Sequence, residues 1–323
     1  MQYMTTPNQY NIVCGIDDKY VRPLTAMLQS LFEHCCNESC SVFILSLDVQ
    51  TKNKDLITAW VNSKGHRIQF IDINKKALDF CPIQTFDSIS IATYLRLLTP
   101  EILPKHIDKV LYLDTDIIIQ KDIEDLYEED LNGIALAAVE DAPNESVVAK
   151  EIFPAPYFNA GVILLNLNFL RATKFTEHAF RYIKSNPDKL SLHDQDVLNA
   201  LLHDKAKFLS IQWNLLDCYY NDPPKIQTNK QSILKIALSD PAIIHFSGSI
   251  KPWHVECEHP LSHLFKKYLP KIKLKSQSLK LEHLYKFPKY QRFLLKLHVP
   301  FKIIRRLDPI AHTVWNFLYQ RHK

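Results

Sequence analysis

The chain has 323 residues, 46% hydrophobic and 23% charged, a composition typical of soluble globular proteins. Its five glycines have spacings that exclude both the dinucleotide-binding fingerprint and the phosphate-binding loop. The net charge of +4 is uneven, because residues 266–323 carry 15 Lys and Arg against two acids, whereas residues 1–265 carry 24 basic against 33 acidic residues.

The first third of the chain alternates between two hydrophobic patterns. Short apolar runs predict strands at 10–15, 41–47 and 67–71, and helical spacing of apolar residues predicts helices at 25–32 and 54–62. Because strands that alternate with helices are typical of parallel sheets, this part predicts an α/β fold.

The pattern continues less regularly toward the C-terminus. An apolar run that ends at Asp114 predicts a buried strand, and further strands are expected at 133–139, 160–167 and 242–246. A helix is expected at 193–203, whereas 143–157 is expected to be irregular. The charge shift places a boundary near residue 265, between a catalytic domain (1–265) and a basic region (266–323).

No export signal or membrane anchor is expected. Residues 1–11 are polar, without an apolar core of the secretory type, and no stretch approaches the roughly 18 apolar residues of a membrane span. The seven cysteines are odd in number and lack paired zinc-type spacing, which favours reduced thiols. Together these features predict a cytoplasmic protein.

Two carboxylates follow the predicted strand, in the sequence Leu113-Asp114-Thr115-Asp116. Strand side chains alternate with a period of two, so Asp114 and Asp116 can face the same way. Two hard oxygen ligands at the carboxyl end of a strand suit Mg²⁺ or Mn²⁺, and the ligand that needs such a cation is a sugar-nucleotide diphosphate. A second Asp-x-Asp at 194–196 shows that the motif alone is weak.

The stretch 243–254 offers further ligands. His245 follows a predicted strand and could bind the same cation, although for this residue taken alone a hydrogen-bonded core histidine is the favoured explanation. Gly248 would let backbone approach a phosphate closely, and Lys251 would supply a positive charge unless it is an ordinary surface lysine.

Three more stretches carry polar residues in apolar surroundings. Arg96 lies in an apolar helical run, where it is either a structural arginine that snorkels or pairs with an acid, or a functional one that meets a nucleotide phosphate or a carboxylate. Asn159 begins an apolar strand. His193-Asp194-Gln195-Asp196 begins a helix, and capping of that helix by Asp194 would explain it structurally.

In order and in combination, these five stretches resemble glycosyltransferase family 8, most closely its bacterial lipopolysaccharide galactosyltransferases and glucosyltransferases. The resemblance covers about residues 10–254. It implies a GT-A-type (Rossmann-like) α/β fold with a mixed, mainly parallel sheet, a divalent cation (Mn²⁺, with Mg²⁺ as the alternative) and a UDP-hexose donor. It also implies retention at the anomeric carbon, with galactose favoured over glucose.

The resemblance also assigns roles to individual residues. Asp114, Asp116 and His245 correspond to the metal ligands, and Gln195, Asp194, Asp141 and Lys251 to the catalytic set. The donor-binding positions are Gly15, Asp17, Lys19, Tyr20, Arg96, Thr115, Asn159, Ala160, Gly248 and Lys251, together with the three metal ligands. Lys19 replaces the family's frequent Asn in the uracil-and-ribose loop, and Ser247 replaces a frequent Cys.

The basic region has its own pattern. Apolar residues at 290, 293, 294 and 297, and at 310, 314, 317 and 318, lie at helical spacing among Lys, Arg and aromatic residues. Such helices suit the surface of an anionic membrane leaflet, or they pack on the main domain. Nucleic-acid binding is not expected, because the body is acidic and no nucleic-acid module is recognisable.

These features predict a peripheral enzyme on the inner face of the cytoplasmic membrane that glycosylates a lipopolysaccharide-type glycolipid. Two alternatives stay open. One is a glucosyltransferase of the same fold that acts on a protein or soluble glycan, and the other is a non-catalytic sugar-binding protein.

Overall fold

The computed structural model describes residues 9–35, 39–83, 89–141, 146–221, 231–254, 256–274 and 303. The strands are β1 Gln9–Asp17, β2 Ser39–Leu47, β3 Arg67–Asp72, β4 Lys109–Leu113, β5 Ile117–Ile119, β6 Leu136–Glu140, β7 Phe158–Asn166, β8 Ala206–Phe208, β9 Leu215–Leu216 and β10 Ile243–His245. The α-helices are α1 Val21–His34, α2 Thr51–Ser63, α3 Thr99–Ile102, α4 Glu124–Tyr127, α5 Val147–Ile152, α6 Leu167–Ala172, α7 Phe175–Ser185, α8 His193–Leu202, α9 Cys218–Asn221, α10 Gln231–Ser239 and α11 Ser262–Tyr268.

Seven strands form the main sheet, in the order β3-β2-β1-β4-β7-β6-β8. Their pairings are parallel except on the two sides of β7, so β7 alone runs against the others. The predicted α/β class with a mixed, mainly parallel sheet is therefore confirmed. Each strand and helix predicted in the first third of the chain is present, with ends that differ by a few residues.

The main sheet carries a hydrophobic core on each face. In β1 and β4, Ile12 and Leu111 join the core that includes α1 and α2, whereas Val13 and Tyr112 join the core that includes α7 and α8. This division follows from the alternation of side chains along a strand. Strand β7 is buried along almost its whole length, because it lies between β4 and β6 and is covered on both faces.

A second, three-stranded sheet has the order β5-β10-β9. The chain leaves the main sheet at the end of β4 and enters the small sheet at β5, so Asp114, Thr115 and Asp116 form the crossing between the two sheets. The sequence predicted one strand that ends at these acids. The apolar residues after them, Ile117–Ile119, form a strand of the other sheet.

The prediction that 143–157 is irregular is wrong for 147–152, whereas residues 153–157 form no helix or strand. Helix α5 occupies Val147–Ile152, and the Ser146 hydroxyl caps it by accepting a hydrogen bond of 2.9 Å from the Ala149 amide. Residues 142–145 lie outside the described part of the chain. A serine before a short apolar run is an ordinary helix start, and the run was too short to give a clear helical period.

The C-terminal part of the body ends in α11. Leu264, Phe265 and Tyr268 are buried against Ile244 and Phe246 of the small-sheet core. The predicted boundary at residue 265 falls inside this helix, and Leu274 also packs on the main core. The predicted tail helices lie outside the described residues, so the division into two regions stays a prediction. None of the helices in the described ranges combines the length and apolar character needed to cross a membrane.

Candidate active site

A cavity of about 650 Å³ opens at the carboxyl ends of β1 and β4. Because β7 is antiparallel, its first residues reach the same edge of the sheet, and they are joined there by the start of α8 and the segment after β10. Most of the site residues predicted from the sequence line this cavity: Gly15, Tyr20, Arg96, Asp114, Thr115, Asp116, Asp141, Asn159, Ala160, Asp194, Gln195, His245, Gly248 and Lys251.

Asp17 and Lys19 lie beside this cavity. They line a neighbouring cavity of about 300 Å³. The Asp17 carboxylate accepts hydrogen bonds from the Lys19 amide (2.9 Å) and from the Ser90 hydroxyl (2.7 Å). Since Ser90 lines both cavities, the predicted uracil-and-ribose loop stands at their shared border.

Three potential metal ligands converge at one end of the main cavity. Asp114, Asp116 and His245 each offer one ligand atom, and these atoms lie within 4.8 Å of one another. His245 Nε2 is 3.4 Å from an Asp116 oxygen and 3.9 Å from an Asp114 oxygen. Two carboxylates and an imidazole are donors that suit Mn²⁺ or Mg²⁺, so the residues fit a divalent cation.

A positive charge stands directly beside this triad. Lys251 Nζ lies 2.6 Å from Asp116 Oδ2 and donates to the Phe246 carbonyl at 2.8 Å. Burial alone would raise the pKa of Asp116, but the charges of Lys251 and His245 outweigh burial and lower it. Burial alone would lower the pKa of His245, but Asp116 and Asp114 raise it. Lys251 is thus a fixed, largely buried cation and not a solvated surface lysine.

Gly161 allows this convergence. A Cβ at this position would lie 2.2 Å from His245 Cε1, 2.8 Å from His245 Nδ1 and 2.9 Å from Asp114 Oδ2. The Gly161 carbonyl also accepts a hydrogen bond of 2.8 Å from the Asp114 amide. The triad therefore sits directly over the backbone of β7, in space that any other residue would fill.

Arg96 connects two acids in the cavity wall. Its guanidinium lies 2.6 Å from Asp194 Oδ2 and 3.0 Å from Asp114 Oδ1, and it also donates to the Ala160 carbonyl. The side chain is 6% exposed, so its charge is balanced by these carboxylates and not by water. The structure excludes a snorkelling Arg96 and shows an arginine paired with carboxylates, an arrangement that both the structural and the functional interpretation allowed.

Asp194 is buried at the start of α8. Its carboxylate accepts a hydrogen bond from the Thr93 hydroxyl, and burial raises the pKa of Asp194 to about 6, against the opposing charge of Arg96. The expectation that Asp194 caps α8 is wrong, because the N-cap position is Leu192, whose amide donates to the Asp196 carboxylate at 2.6 Å. An acid at the start of a helix is typical of a capping residue, but the Asp194 carboxylate pairs with Arg96 instead.

A chain of hydrogen-bonded amides adjoins this part of the cavity. The Gln195 amide accepts from the Ala160 amide at 2.8 Å and donates to Asp141 Oδ2 at 2.9 Å. Asn159 Nδ2 donates to the same Asp141 oxygen at 3.1 Å. Both ends of the Gln195 side chain are therefore held, and Asp141 is the acceptor that orients Gln195 and Asn159.

The backbone at Gly248 lies against the side chain of Asp217. Its amide donates to Asp217 Oδ2 at 2.8 Å, and a Cβ at Gly248 would lie 2.6 Å from that oxygen. Burial raises the pKa of Asp217. In this structure the glycine is required by the close approach of Asp217.

Sequence reasoning missed several residues that shape the site. Gly161 was predicted only as part of a strand, and Asn214 was not considered. The hydroxyl of Tyr112 donates to Asp114, and the hydroxyl of Thr93 donates to Asp194. Asn214 is fully buried between Trp213 and the strand β9. An asparagine inside an apolar stretch is a signal that could have been noticed, because a buried amide needs hydrogen-bond partners.

Comparison with known proteins agrees with this geometry. The family model of glycosyl transferase family 8 matches residues 11–257. General stress protein A of Bacillus subtilis is 29% identical, over 77% of this chain and 89% of its own length. Lipopolysaccharide 1,2-glucosyltransferase of Escherichia coli K12 is 27% identical, over 80% of this chain and 76% of its own length. The crystal structure of the galactosyltransferase LgtC with donor and acceptor sugar analogues is 25% identical, with a TM-score of 0.73, and covers 83% of this chain and 98% of LgtC.

The mixed sheet and the acid–histidine cluster at its edge, together with these matches, define a glycosyltransferase of the GT-A type. The predicted fold is thereby confirmed. The chain belongs to glycosyl transferase family 8, as its sequence indicated.

Proposed function

We propose that this protein is a metal-dependent, retaining hexosyltransferase that moves a hexose from a UDP-sugar to a hydroxyl of a lipopolysaccharide-type glycolipid. One observation carries the proposal. The cluster of Asp114, Asp116 and His245 stands beside Lys251 in a cavity lined by most of the donor residues expected from the sequence. That combination suits a diphosphate, since both a divalent cation and a fixed ammonium stabilise phosphate charge.

Charge builds on the leaving diphosphate as the bond to the sugar lengthens. Asp114, Asp116 and His245 would hold a divalent cation, with Mn²⁺ proposed and Mg²⁺ as the alternative, which would supply Lewis-acid stabilisation to that charge. Lys251 adds a second positive group whose position is set by Asp116 and the Phe246 carbonyl.

Positive charge develops on the sugar ring in the same step. We assign Gln195 to that face, because its carbonyl oxygen carries a negative partial charge and its amide is fixed by Asp141 and the Ala160 amide. Asp194 is the alternative for covalent capture of the sugar. Its oxygens are occupied by Arg96 and Thr93, which supports a same-face displacement in which the leaving phosphate helps to deprotonate the acceptor.

The donor sugar is proposed from the relatives. LgtC is named a galactosyltransferase and the Escherichia coli relative a glucosyltransferase, so galactose is the first candidate and glucose the second. The two sugars differ at one hydroxyl, and a site that hydrogen-bonds this hydroxyl discriminates between them.

The acceptor is also proposed from the relatives, since the Escherichia coli protein is named for lipopolysaccharide. The excess of basic residues in 266–323 supports peripheral attachment to an anionic membrane surface, where a glycolipid acceptor would be reached. We therefore propose a location on the inner face of the cytoplasmic membrane.

Release of UDP from a panel of UDP-sugars tests the proposal without the acceptor. Purified protein is assayed with Mn²⁺, with Mg²⁺ and with a chelator. Slow hydrolysis of one UDP-hexose that the chelator abolishes is the expected result, and Asp116→Asn should abolish it too. Asp204→Asn, which changes an exposed acid paired with Lys205, is the matched control and should leave the rate unchanged. Metal-independent UDP binding without turnover would instead favour a sugar-binding protein.

A further inference from the structure

The ring orientation of His245 depends on a residue outside the set of proposed ligands. His245 Nδ1 lies 2.9 Å from Asn214 Oδ1, while His245 Nε2 faces Asp114 and Asp116. Asn214 is 0% exposed, so its amide has no access to water and both of its ends must be satisfied by protein.

The direction of the Asn214 amide is fixed by its other neighbour. Asn214 Nδ2 donates to Asn159 Oδ1 at 2.8 Å. Asn159 cannot turn its amide around, because its oxygen also accepts from the Gly161 backbone amide (2.9 Å) and its nitrogen donates to the Asp141 carboxylate (3.1 Å). A backbone N–H can only donate and a carboxylate can only accept, so the chain of bonds has one polarity.

We infer that Asn214 is a positioning residue that keeps a proton on His245 Nδ1 and thereby leaves Nε2 free to bind a cation. An amide oxygen toward Nδ1 accepts a hydrogen bond and repels a bare nitrogen. The chain of bonds from Asp141 and Gly161 through Asn159 and Asn214 therefore sets the imidazole tautomer. The inference rests on the proposed metal site, and the tautomer itself can be observed without any metal.

The same chain links two parts of the proposed chemistry. Asp141 and Asn159 are proposed donor-sugar residues, and His245 is a proposed metal ligand. Groups behind a ligand commonly change metal affinity about 10- to 100-fold when they are removed. We expect this range for Asn214.

The test uses the full-length protein with ¹⁵N-labelled histidine. The His245 signals are assigned by their loss in His245→Gln, and two-bond ¹H–¹⁵N spectra are recorded without metal while the pH is raised. In the wild type Nδ1 should keep its proton over the whole range in which the fold is intact. In Asn214→Leu the neutral ring should instead carry its proton on Nε2, toward Asp116. A bare Nδ1 in the wild type, or an unchanged tautomer in Asn214→Leu, would overturn the inference.

Asn199→Leu is the matched control. Asn199 is equally buried, and its amide is bonded at both ends to the backbone of Phe158, yet it does not touch His245. This variant should lose stability without a change of tautomer. Titration of Mn²⁺ by electron paramagnetic resonance then compares the wild type with both variants, and only Asn214→Leu should bind about 10- to 100-fold more weakly. If the wild type binds no Mn²⁺, the metal-dependent part of the proposed function is wrong. The tautomer spectra, which need no metal, still decide the role of Asn214.

Discussion

Replacement of Gly161 by alanine gives the sharpest test of the active-site geometry. Gly161 lies in β7, where its backbone is extended, so alanine introduces no backbone strain of the kind that positive φ causes. The added methyl group meets His245 Cε1 at 2.2 Å and Asp114 Oδ2 at 2.9 Å. The perturbation is therefore purely steric and is directed at two of the three proposed ligands.

Its size follows from these distances. Carbon atoms in contact are normally about 3.5–4.0 Å apart, so the His245 ring must retreat by roughly 1.3 Å or more. That movement shifts the His245 ring relative to Asn214, whose oxygen lies 2.9 Å from Nδ1. Overfilling a buried site costs about 1–3 kcal/mol of stability, and a misplacement of about 1 Å at a reacting centre can cost about 100-fold in rate.

Two measurements check the prediction. Urea unfolding should show Gly161→Ala destabilised within that range, and metal-dependent hydrolysis of the UDP-hexose should fall about 100-fold. Gly65→Ala is the control, because Gly65 has φ of +82° and open space around it, so alanine costs about 1–2 kcal/mol through the backbone alone. A Gly161→Ala protein that binds Mn²⁺ and hydrolyses the donor like the wild type would refute the reasoning.

Three further predictions follow from charge and burial. Lys251→Met should be less stable, because Asp116 loses a buried partner, and should release UDP about 10²–10³-fold more slowly, since a fixed group at the developing charge is lost. Lys266→Met in α11 should leave the rate unchanged. Burial raises the pKa of Asp194 from 3.8 to about 6, so the wild type loses stability as pH rises through this window, by about 3 kcal/mol at 1.36 kcal/mol per pKa unit. Asp194→Asn should not show this loss. Urea unfolding at pH 4 and pH 7 should therefore show that, between the two pH values, the free energy of unfolding falls less in the variant than in the wild type. An equal fall in both proteins would contradict this prediction. Removal of 275–323, which spares α11 and Leu274, should abolish sedimentation with anionic vesicles but not UDP release, and unchanged sedimentation would count against a membrane role for the tail.

Much of the fold was predictable because the spacing of apolar residues along the sequence differs between strands and helices. The alternation of strands and helices through residue 72 follows from hydrophobic spacing alone, as does the strand that leads to Asp114. The convergence of Asp114 and Asp116 was predicted from the period of two along a strand. In the structure both residues lie between β4 and β5, so that period alone does not explain their common orientation.

The remaining features depend on contacts between distant parts of the chain. Asn214 bonds residues 31 and 55 positions away, and Arg96 meets Asp194 across almost a hundred residues. Such contacts leave no periodic trace in the sequence. For the same reason no separate strand was predicted at Ile117–Ile119, although pairing with β10 places these residues in the small sheet.

The crossing at Asp114–Asp116 has a thermodynamic consequence. Asp114 and Asp116 belong to the segment that leaves the large sheet, and His245 belongs to β10 of the small sheet. A ligand bound by all three residues would therefore connect the two sheets. A ligand that binds only the folded chain adds RT ln(1 + [L]/Kd) to its stability, about 2.7 kcal/mol at 100 times Kd. The melting temperature of this protein should therefore rise as this site is filled. Thermal-shift screening of nucleotides and cations can rank donors before the acceptor is known.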